Sequence, residues 1–437
     1  MPSNAPIVWR TTVGDDPMPH SVIAAIFLSS YLTWRPSHEI MFTLSDALFL
    51  LGFVRLAYRD GIPLEPFRFL TTIWQAGFVM LVSGLLIGSI NGPAPSRWLI
   101  VSCQYLFAWV VLPMILLRRS SEQNVAMIKS LIWGVFAVNL FGALVYFTYT
   151  GTFEDAQNLF GQDFLSGGRR LGAFTGDANW NGAVLAMTVP FVIFLRAKGH
   201  VGNLATALWL AVLLLGVMLS ASFTAFVSCV AALAIFMAVG NIWPSPRSIA
   251  VAGAGGLLAI GVLVDLGLSL PATFVARVGN AINRGDISEA GTYEGRMQLM
   301  REAWGLVEHH MLVGVGADQY RVISALGAPV HNMYLLLWVE GGLISLVGWM
   351  VLLAVLLAAA VNAYRRDRLA TALALSVTCN FIIASMASPH MYARLWAVPV
   401  LLAVAVSLEL AASPARARRR RASAQPVARL ERSHVGN

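Results

Sequence analysis

The feature that most constrains this chain is the recurrence of long apolar runs along almost its whole length. Runs of about 17–25 apolar residues are long enough to cross a bilayer as helices. The 437 residues are 57% hydrophobic and only 12% charged, whereas charged residues make up about a quarter of a soluble globular chain. The sequence therefore predicts an all-α, polytopic integral membrane protein.

The apolar runs predict about twelve transmembrane helices. They lie near residues 21–34, 40–57, 68–90, 98–117, 127–150, 180–196, 203–219, 222–240, 248–270, 342–363, 369–387 and 391–411. We therefore expect one transmembrane domain over residues 20–411. A cytoplasmic segment, residues 1–19, precedes it, and a basic, disordered cytoplasmic tail, residues 412–437, follows it.

The basic residues give the orientation of the predicted spans. One set of alternate connections holds most of the arginines and lysines, and the tail adds Arg416 and Arg418 to Arg421. Because cationic loops resist translocation, we expect a multi-pass protein of the bacterial inner membrane with both termini in the cytoplasm. The excess of 30 Lys+Arg over 22 Asp+Glu follows from this topology, so nucleic acid is not an expected partner.

Cysteine usage and sequence motifs indicate neither a metal site nor a cofactor. Cys103, Cys229 and Cys379 each lie inside an apolar run, without a CxxC or Cys/His pairing. The chain contains no phosphate-binding glycine loop, dinucleotide fingerprint, HExxH or GxSxG. Asp46, in the second apolar run, is expected to pair with a neighbouring helix.

Two predicted connections are long, and both fall on the extracytoplasmic side: residues 151–179 and 271–331. Long loops in a compact protein are often functional. In the larger loop, residues 293–310 place Tyr293, Met297, Met300, Trp304 and Val307 at helical spacing, with Arg296, Arg301 and Glu308 largely on other faces. This pattern predicts an amphipathic helix that lies on the membrane or caps a cavity. Gly314-Val315-Gly316 predicts a turn after it.

The first candidate for chemistry is Arg169-Arg170, flanked by glycines and followed by Asn179. Two arginines before a span could grip a phosphate by paired hydrogen bonds. They could equally anchor a helix end among lipid headgroups. From the local sequence alone, both interpretations stay open.

Two further candidates lie in and after the larger loop. Arg296 and Arg301 could bind an anion or remain solvated charges on the predicted helix. His331-Asn332 stands where a polar loop meets a membrane helix, so the imidazole is either a proton acceptor or a satisfied interfacial residue. Glu340 could orient this histidine, bind a substrate hydroxyl or pair with an arginine.

Taken together, these segments resemble the superfamily of O-antigen ligases and polysaccharide polymerases over residues of about 165–355. The resemblance depends on TYEGRMQLMREAW, LVGVGADQY and HNMYLLLWVEGGLISLVGW, with RLGAF and Asn179 upstream. It implies a metal-independent, inverting glycosyltransferase on the extracytoplasmic face. The donor would be an oligosaccharide on undecaprenyl diphosphate, and the acceptor a glycan or lipid-core hydroxyl, as in O-antigen, capsule or exopolysaccharide synthesis.

The resemblance also implies roles for the candidate residues. His331 would be the catalytic base, and Arg170 and Arg296 would stabilise the diphosphate leaving group. The other expected substrate-binding residues are Arg169, Arg301, Asn332, Glu340 and Asn179. Membrane lipid and other polysaccharide-assembly proteins are the remaining expected partners.

Two other functions remain open at this stage. A lipid-linked glycan flippase or transporter would bind its substrate near the midplane between related halves, and residues 20–200 and 203–411 show no convincing repeat. A non-catalytic scaffold for envelope assembly would retain its function without the three principal candidate residues.

Overall fold

The computed structural model describes residues 17–33, 35, 40–59, 61–90, 92, 94–243, 272–284 and 293–409. Most of the predicted N-terminal segment, the predicted span at 248–270 and the basic tail lie outside the described residues. The larger loop is described only over 272–284 and from residue 293 onward.

The described chain is mostly helical. Its principal helices are α1 His20–Phe27, α2 Leu44–Arg59, α3 Thr71–Ile90, α4 Ser96–Leu116, α5 Ser121–Thr148, α6 Phe153–Phe160, α7 Ala178–Ala197, α8 Asn203–Ser220 and α9 Phe223–Gly240. The helical segment α10 comprises Ala272–Phe274, the π-helical turn Val275–Gly279 and Asn280–Arg284; then follow α11 Tyr293–His309, α12 Tyr320–Ile323, α13 Met333–Val361, α14 Arg368–Ser385 and α15 Arg394–Ser407.

Eight helices within the described residues are long and apolar enough to cross a membrane. They are α3, which a short 3₁₀ turn extends back to Arg68, and α4, α5, α7, α8, α9, α13 and α14. The apolar helix α15 has 14 residues, whereas α1 and α2 have 8 and 16. The structure is thus that of a polytopic helical membrane protein, and the count of twelve spans stays a prediction.

Helix α7 lies at the centre of the bundle. In the 18-residue apolar stretch of α7, 83% of the residues are buried, compared with 28% in that of α9. Helix α7 is more buried because it packs against α8, α9 and α14. Asp177 caps its first turn by accepting hydrogen bonds from the backbone N–H groups of Asn179 and Trp180. Helices α5 and α8 end, and α7, α9 and α13 begin, at the same end of the bundle, which we call the site end. The first turn of α7 lies in the middle of the site end.

The longest helix, α13, packs on α3 through small residues. A Cβ atom on Gly84 would lie 2.6 Å from the carbonyl oxygen of Gly341, and one on Gly348 would lie 2.4 Å from the backbone nitrogen of Leu81. The Ser345 hydroxyl donates to the Leu81 carbonyl at 2.7 Å. Small residues of this kind let two membrane helices approach backbone to backbone.

Helix α13 is broken at Gly342, whose φ of 66° and ψ of −171° are not helical. The predicted glycine turn packs into this break: Val315 N–H donates to the Val339 carbonyl at 2.8 Å, and Gly316 N–H donates to the Glu340 carbonyl at 2.9 Å. The turn therefore satisfies backbone groups that the break leaves without helical partners.

Helix α11 lies where the amphipathic helix was predicted, and the stripe that it buries against the protein coincides only in part with the predicted apolar face. Leu299, Ala303 and Val307 form the buried stripe, whereas Trp304 is 53% exposed and meets Trp338 edge to face. Glu302 accepts hydrogen bonds from Ser324 and from the backbone of Ala325. The helix thus packs against α13.

Asp46 pairs with Arg394 of α15, which is the contact with a neighbouring helix that its position predicted. Their buried ion pair joins α2 to α15, and Asp46 also accepts hydrogen bonds from the backbone and hydroxyl of Thr43 at 2.7 and 2.9 Å. A buried carboxylate is tolerated when its oxygens are paired in this way.

We predict that Gly314→Ala destabilises the protein by about 1–3 kcal/mol, since overpacked sites cost about that much. A Cβ atom there would lie 2.3 Å from the Glu340 carbonyl carbon, which is backbone and cannot move aside. The measurement is thermal unfolding of the purified protein in detergent. Gly305→Ala is the matched control, because nothing lies within 4 Å of that position in α11, and we expect it to be neutral or stabilising. Equal melting temperatures for the two variants would contradict the packing described here.

Candidate functional site

Arg170 lies on a two-stranded hairpin at the site end. Strands β1 Leu165–Ser166 and β2 Arg170–Leu171 pair antiparallel, with Ser166 opposite Arg170. The Arg170 Nε donates to the Ser220 carbonyl at 3.0 Å, and its Nη2 donates to Asn179 Oδ1 at 2.7 Å. The end of α8 and the first turn of α7 therefore fix the plane of this guanidinium group, and Asn179 positions Arg170.

The neighbouring Arg169 is engaged elsewhere. Its guanidinium donates to the carbonyl oxygens of Tyr146 and Tyr149, at 2.7 and 2.6 Å from Nη2, and lies 5.4 Å from the centre of the Tyr146 ring. A cation in this position satisfies the last carbonyls of α5 and complements the negative end of the helix dipole. The helix-anchoring interpretation of Arg169 is the one that this geometry favours.

Arg296 lies on α11 in line with the buried stripe of Leu299, Ala303 and Val307. Its Nε is buried and makes no hydrogen bond within the described part of the chain. Burial lowers the pKa of Arg296, and the nearby Asp177 carboxylate acts in the opposite direction. In contrast, Arg301 is exposed on the same helix.

His331 lies two residues before the start of α13 and is half-buried. Burial lowers the pKa of its imidazole, the positive charge of Arg296 lowers it further, and the Asp177 carboxylate raises it. The structure therefore brings His331, Arg296 and Asp177 into one electrostatic environment, although 154 positions separate Asp177 from His331 in the sequence. An imidazole with a lowered pKa is neutral at pH 7 and can accept a proton.

The structure adds an arginine that the sequence analysis missed. Arg277 lies in the π-helical turn of α10 and lowers the pKa of Arg170, which burial first, then Arg277 and Arg296, bring to about 10. Phe274, Val278 and Ala281 are apolar residues at helical spacing, which could have predicted a helix here. In the structure, Val278 and Ala281 are buried. Nothing in that pattern points to Arg277 as a site residue.

Two other predicted binding residues hold the polypeptide in place. Asn332 caps α13, where its Oδ1 accepts the Leu335 N–H at 3.0 Å. Buried Glu340 accepts the Tyr320 N–H at 3.3 Å, at the turn that follows Gly316. Both contacts are structural, and a role in substrate binding stays a prediction for each.

A second polar cluster forms around Asp318. Asp318 is bound by Arg97 and by Arg321, whose Nε donates to it at 2.7 Å. Near this cluster His390 has a pKa lowered to about 4, mainly by burial, with smaller effects of Asp318, Arg321, His331 and Arg97. The connection between α14 and α15, which contains His390, thus lies at the site end.

Within the described residues, no three His, Cys, Asp or Glu side chains are grouped as a metal site requires. Metal independence itself stays a prediction. What the described residues do bring together is a group of guanidinium side chains, of which Arg296 also acts on the imidazole of His331. Such an arrangement is suited to binding an anion and moving a proton.

The fold and this site define a polytopic helical membrane protein with a cationic, histidine-containing site at one end of its bundle. Residues 207–350 match a family model described as O-Antigen ligase, which confirms the resemblance to the O-antigen ligase superfamily. Over these residues the chain is similar to that family, and the match supports a role in surface polysaccharide assembly. The matched region contains Arg277, Arg296 and His331, and Arg170 lies upstream of it. A search of curated proteins finds no match.

We predict that Asp177→Asn lowers the pKa of His331. The carboxylate raises this pKa, so removing its charge keeps the imidazole neutral to a lower pH, while asparagine retains the capping oxygen of α7. The measurement is the rate at which diethyl pyrocarbonate modifies His331 as a function of pH, followed by peptide mass spectrometry. Only the neutral ring reacts, so the curve should move to lower pH.

The matched control is Asp367→Asn, since Asp367 also caps a helix, α14, at the opposite end of the bundle. The His331 curve should be unchanged in this variant. A curve that stays in place in Asp177→Asn would mean that the carboxylate does not act on the ring.

Proposed function

We propose that this protein is a membrane glycosyltransferase that moves an oligosaccharide from undecaprenyl diphosphate to a hydroxyl group of a glycan or lipid core. The observation that carries the proposal is the convergence of Arg170, Arg296 and His331 at the site end. These residues come from a hairpin, from α11 and from the start of α13. The similarity to the O-antigen ligase family over residues 207–350 supports the same class of reaction.

The leaving group explains the need for arginines. As the bond between the anomeric carbon and the diphosphate oxygen breaks, negative charge builds on that oxygen. Fixed guanidinium groups stabilise this charge more strongly in the transition state than in the ground state. Arg170 is held in place by hydrogen bonds to Ser220 and Asn179, so little reorganisation is needed when the charge develops.

The acceptor explains the need for a base. The hydroxyl oxygen of the acceptor attacks the anomeric carbon while its proton passes to the neutral imidazole of His331. One C–O bond forms, the C–O bond to the diphosphate breaks, and attack from the face opposite the leaving group inverts the anomeric configuration. The proton ends on His331 and the electron pair on the lipid diphosphate.

The direction of the bundle completes the proposal. We infer that the site end faces the extracytoplasmic side of the inner membrane, because the connections at the opposite end carry residues such as Arg118, Lys198, Arg365 and Arg366. Both termini are then cytoplasmic. Membrane lipid surrounds the bundle, and other polysaccharide-assembly proteins are the expected partners.

We predict that His331→Ala abolishes surface polysaccharide without lowering the amount of protein in the membrane. The variant removes the only proton acceptor that the proposal assigns. The measurement is gel analysis of surface glycan in a strain that carries the variant, beside an immunoblot of the protein. His200→Ala, an exposed histidine at the opposite end of the bundle, should leave the glycan intact. Normal glycan in His331→Ala would remove the histidine from the mechanism.

We also predict that Arg296→Lys lowers the transfer rate by about 100-fold or more, the loss typical of one missing donor to a developing anion. An ammonium group keeps the charge but cannot reproduce the planar fork of guanidinium. The measurement is transfer by the purified protein from a lipid-diphosphate donor, with Arg366→Lys as an exposed control. A rate equal to that of the wild type would show that residue 296 supplies charge alone or nothing.

Polymerase and ligase activities share this donor chemistry and differ in the acceptor. A deletion strain separates them. Surface chains of a single repeat would assign a polymerase, and long chains left on the lipid carrier would assign a ligase.

A further inference from the structure

A polar cavity lies at the end of the bundle opposite the site end, where α7 and α15 end and α5 and α14 begin. Its volume is about 180 Å³, far more than the roughly 15 Å³ that one water molecule requires. One part of its wall is apolar and consists of Val125, Ile128, Phe194 and Val406. The cavity therefore has room for a small polar group beside an apolar surface.

Asn124 lines this cavity from the first turn of α5 with an amide that has no protein partner. The residue is only 2% exposed. Neither its Oδ1 nor its Nδ2 makes a hydrogen bond to any residue that the structure describes. A buried amide without partners is costly in free energy. The cavity thus offers one acceptor atom and one NH₂ group that a ligand would satisfy.

Charged groups of both signs complete the polar part of the wall. Lys198, which follows α7, donates to the Asp367 carboxylate at 2.6 Å, and this bond uses one of its three N–H groups. Glu409, two residues after α15, is half-buried, and no ion pair joins it to another residue that the structure describes. Burial raises the pKa of Glu409, and the nearby Ser121 and Asn124 lower it. A carboxylate in such a position is stabilised by a bound cation.

We propose that this cavity binds the ethanolamine phosphate headgroup of a phospholipid. The ammonium group of ethanolamine has three N–H donors, and Glu409, Asn124 Oδ1 and the Ser121 hydroxyl are acceptors on the wall of the cavity. The phosphate has oxygen atoms that accept from the other donors there, Asn124 Nδ2 and Lys198. A headgroup with both charges thus serves the unpaired amide, the carboxylate and the lysine together.

The position of the cavity favours a lipid as the source of this headgroup. It lies among four helix ends at one surface of the bundle, and polar pockets between membrane helices at this level bind lipid headgroups. A choline group cannot donate a hydrogen bond, and a glycerol headgroup brings no cation to Glu409, so ethanolamine should be preferred to both. Because the cavity and the site end lie at opposite ends of the bundle, this binding is independent of the proposed glycosyl transfer.

The test uses the full-length protein purified in detergent, with dihexanoyl phosphatidylethanolamine as the probe. The melting temperature should rise at lower concentrations of this lipid than of phosphatidylcholine or phosphatidylglycerol with the same chains. Asn124→Leu removes the amide at similar volume and Glu409→Gln removes the charge, and each should weaken binding of the ethanolamine lipid by about tenfold or more. Glu65→Gln, exposed at the same end of the bundle, is the matched control and should bind like the wild type.

Soluble glycerophosphoethanolamine distinguishes a lipid from a free source of the headgroup. A shift with the lipid that both variants weaken supports the proposal, whether or not the soluble probe also binds. A shift with the soluble probe but not with the lipid overturns the lipid as the occupant. Equal affinity of the wild-type protein for the three lipids also overturns the proposal, and this comparison holds even if a variant fails to fold. Wild-type affinity for the ethanolamine lipid in both variants has the same consequence.

Discussion

Backbone hydrogen bonds across the break in α13 hold the extramembrane part of the site together. Val315 and Gly316 donate to the carbonyl groups before the break, and Leu343 N–H, just after it, donates to the Met311 carbonyl at 3.0 Å. These groups would otherwise be left unpaired where the helix is interrupted. The glycine turn replaces the missing helical partners, so these hydrogen bonds fix the position of the turn relative to α13. Helix α11 precedes the turn and His331 follows it, so the break determines how both approach the first turn of α7.

Arg169 and Arg170 are positioned by helix ends rather than by other charged side chains. Arg170 binds the last carbonyl of α8 and an asparagine in the first turn of α7, and Arg169 binds the last carbonyls of α5. Neutral acceptors of this kind hold a guanidinium without cancelling its charge. Asp177, the carboxylate that acts on Arg170 and Arg296, is itself engaged with two backbone N–H groups of α7. The site thus keeps its positive potential, which a network of ion pairs would have removed.

Much of the fold and part of the site follow from the sequence. Within the described residues, eight of the apolar runs lie in helices long enough to cross a membrane, and the pattern at 293–310 lies in α11, because both depend on local periodicity. Two apolar stripes overlap on α11. The sequence pattern contains the stripe with Trp304, whereas the residues buried against the protein are Leu299, Ala303 and Val307. Arg277 could not be found in the same way, since its importance depends on a contact between Thr273 and Gly168 across 105 positions. The structural positions of Arg169, Asn332 and Glu340 likewise depend on tertiary contacts that their local motifs do not contain.

The hairpin that carries the two arginines has a consequence for how this region can change in evolution. Residues 167–169 join Ser166 to its partner Arg170, and Arg169 closes this turn with a left-handed φ of 55°. Loss or gain of one residue in this short connection would shift the pairing by one position and exchange the surroundings of the two adjacent guanidinium groups. The arginine that now seals a helix would then face the ligand, and its neighbour would face the helix. Substitutions in this connection are compatible with the architecture, but changes in its length are not, so related chains with a working site should conserve the spacing here more strictly than the residue types.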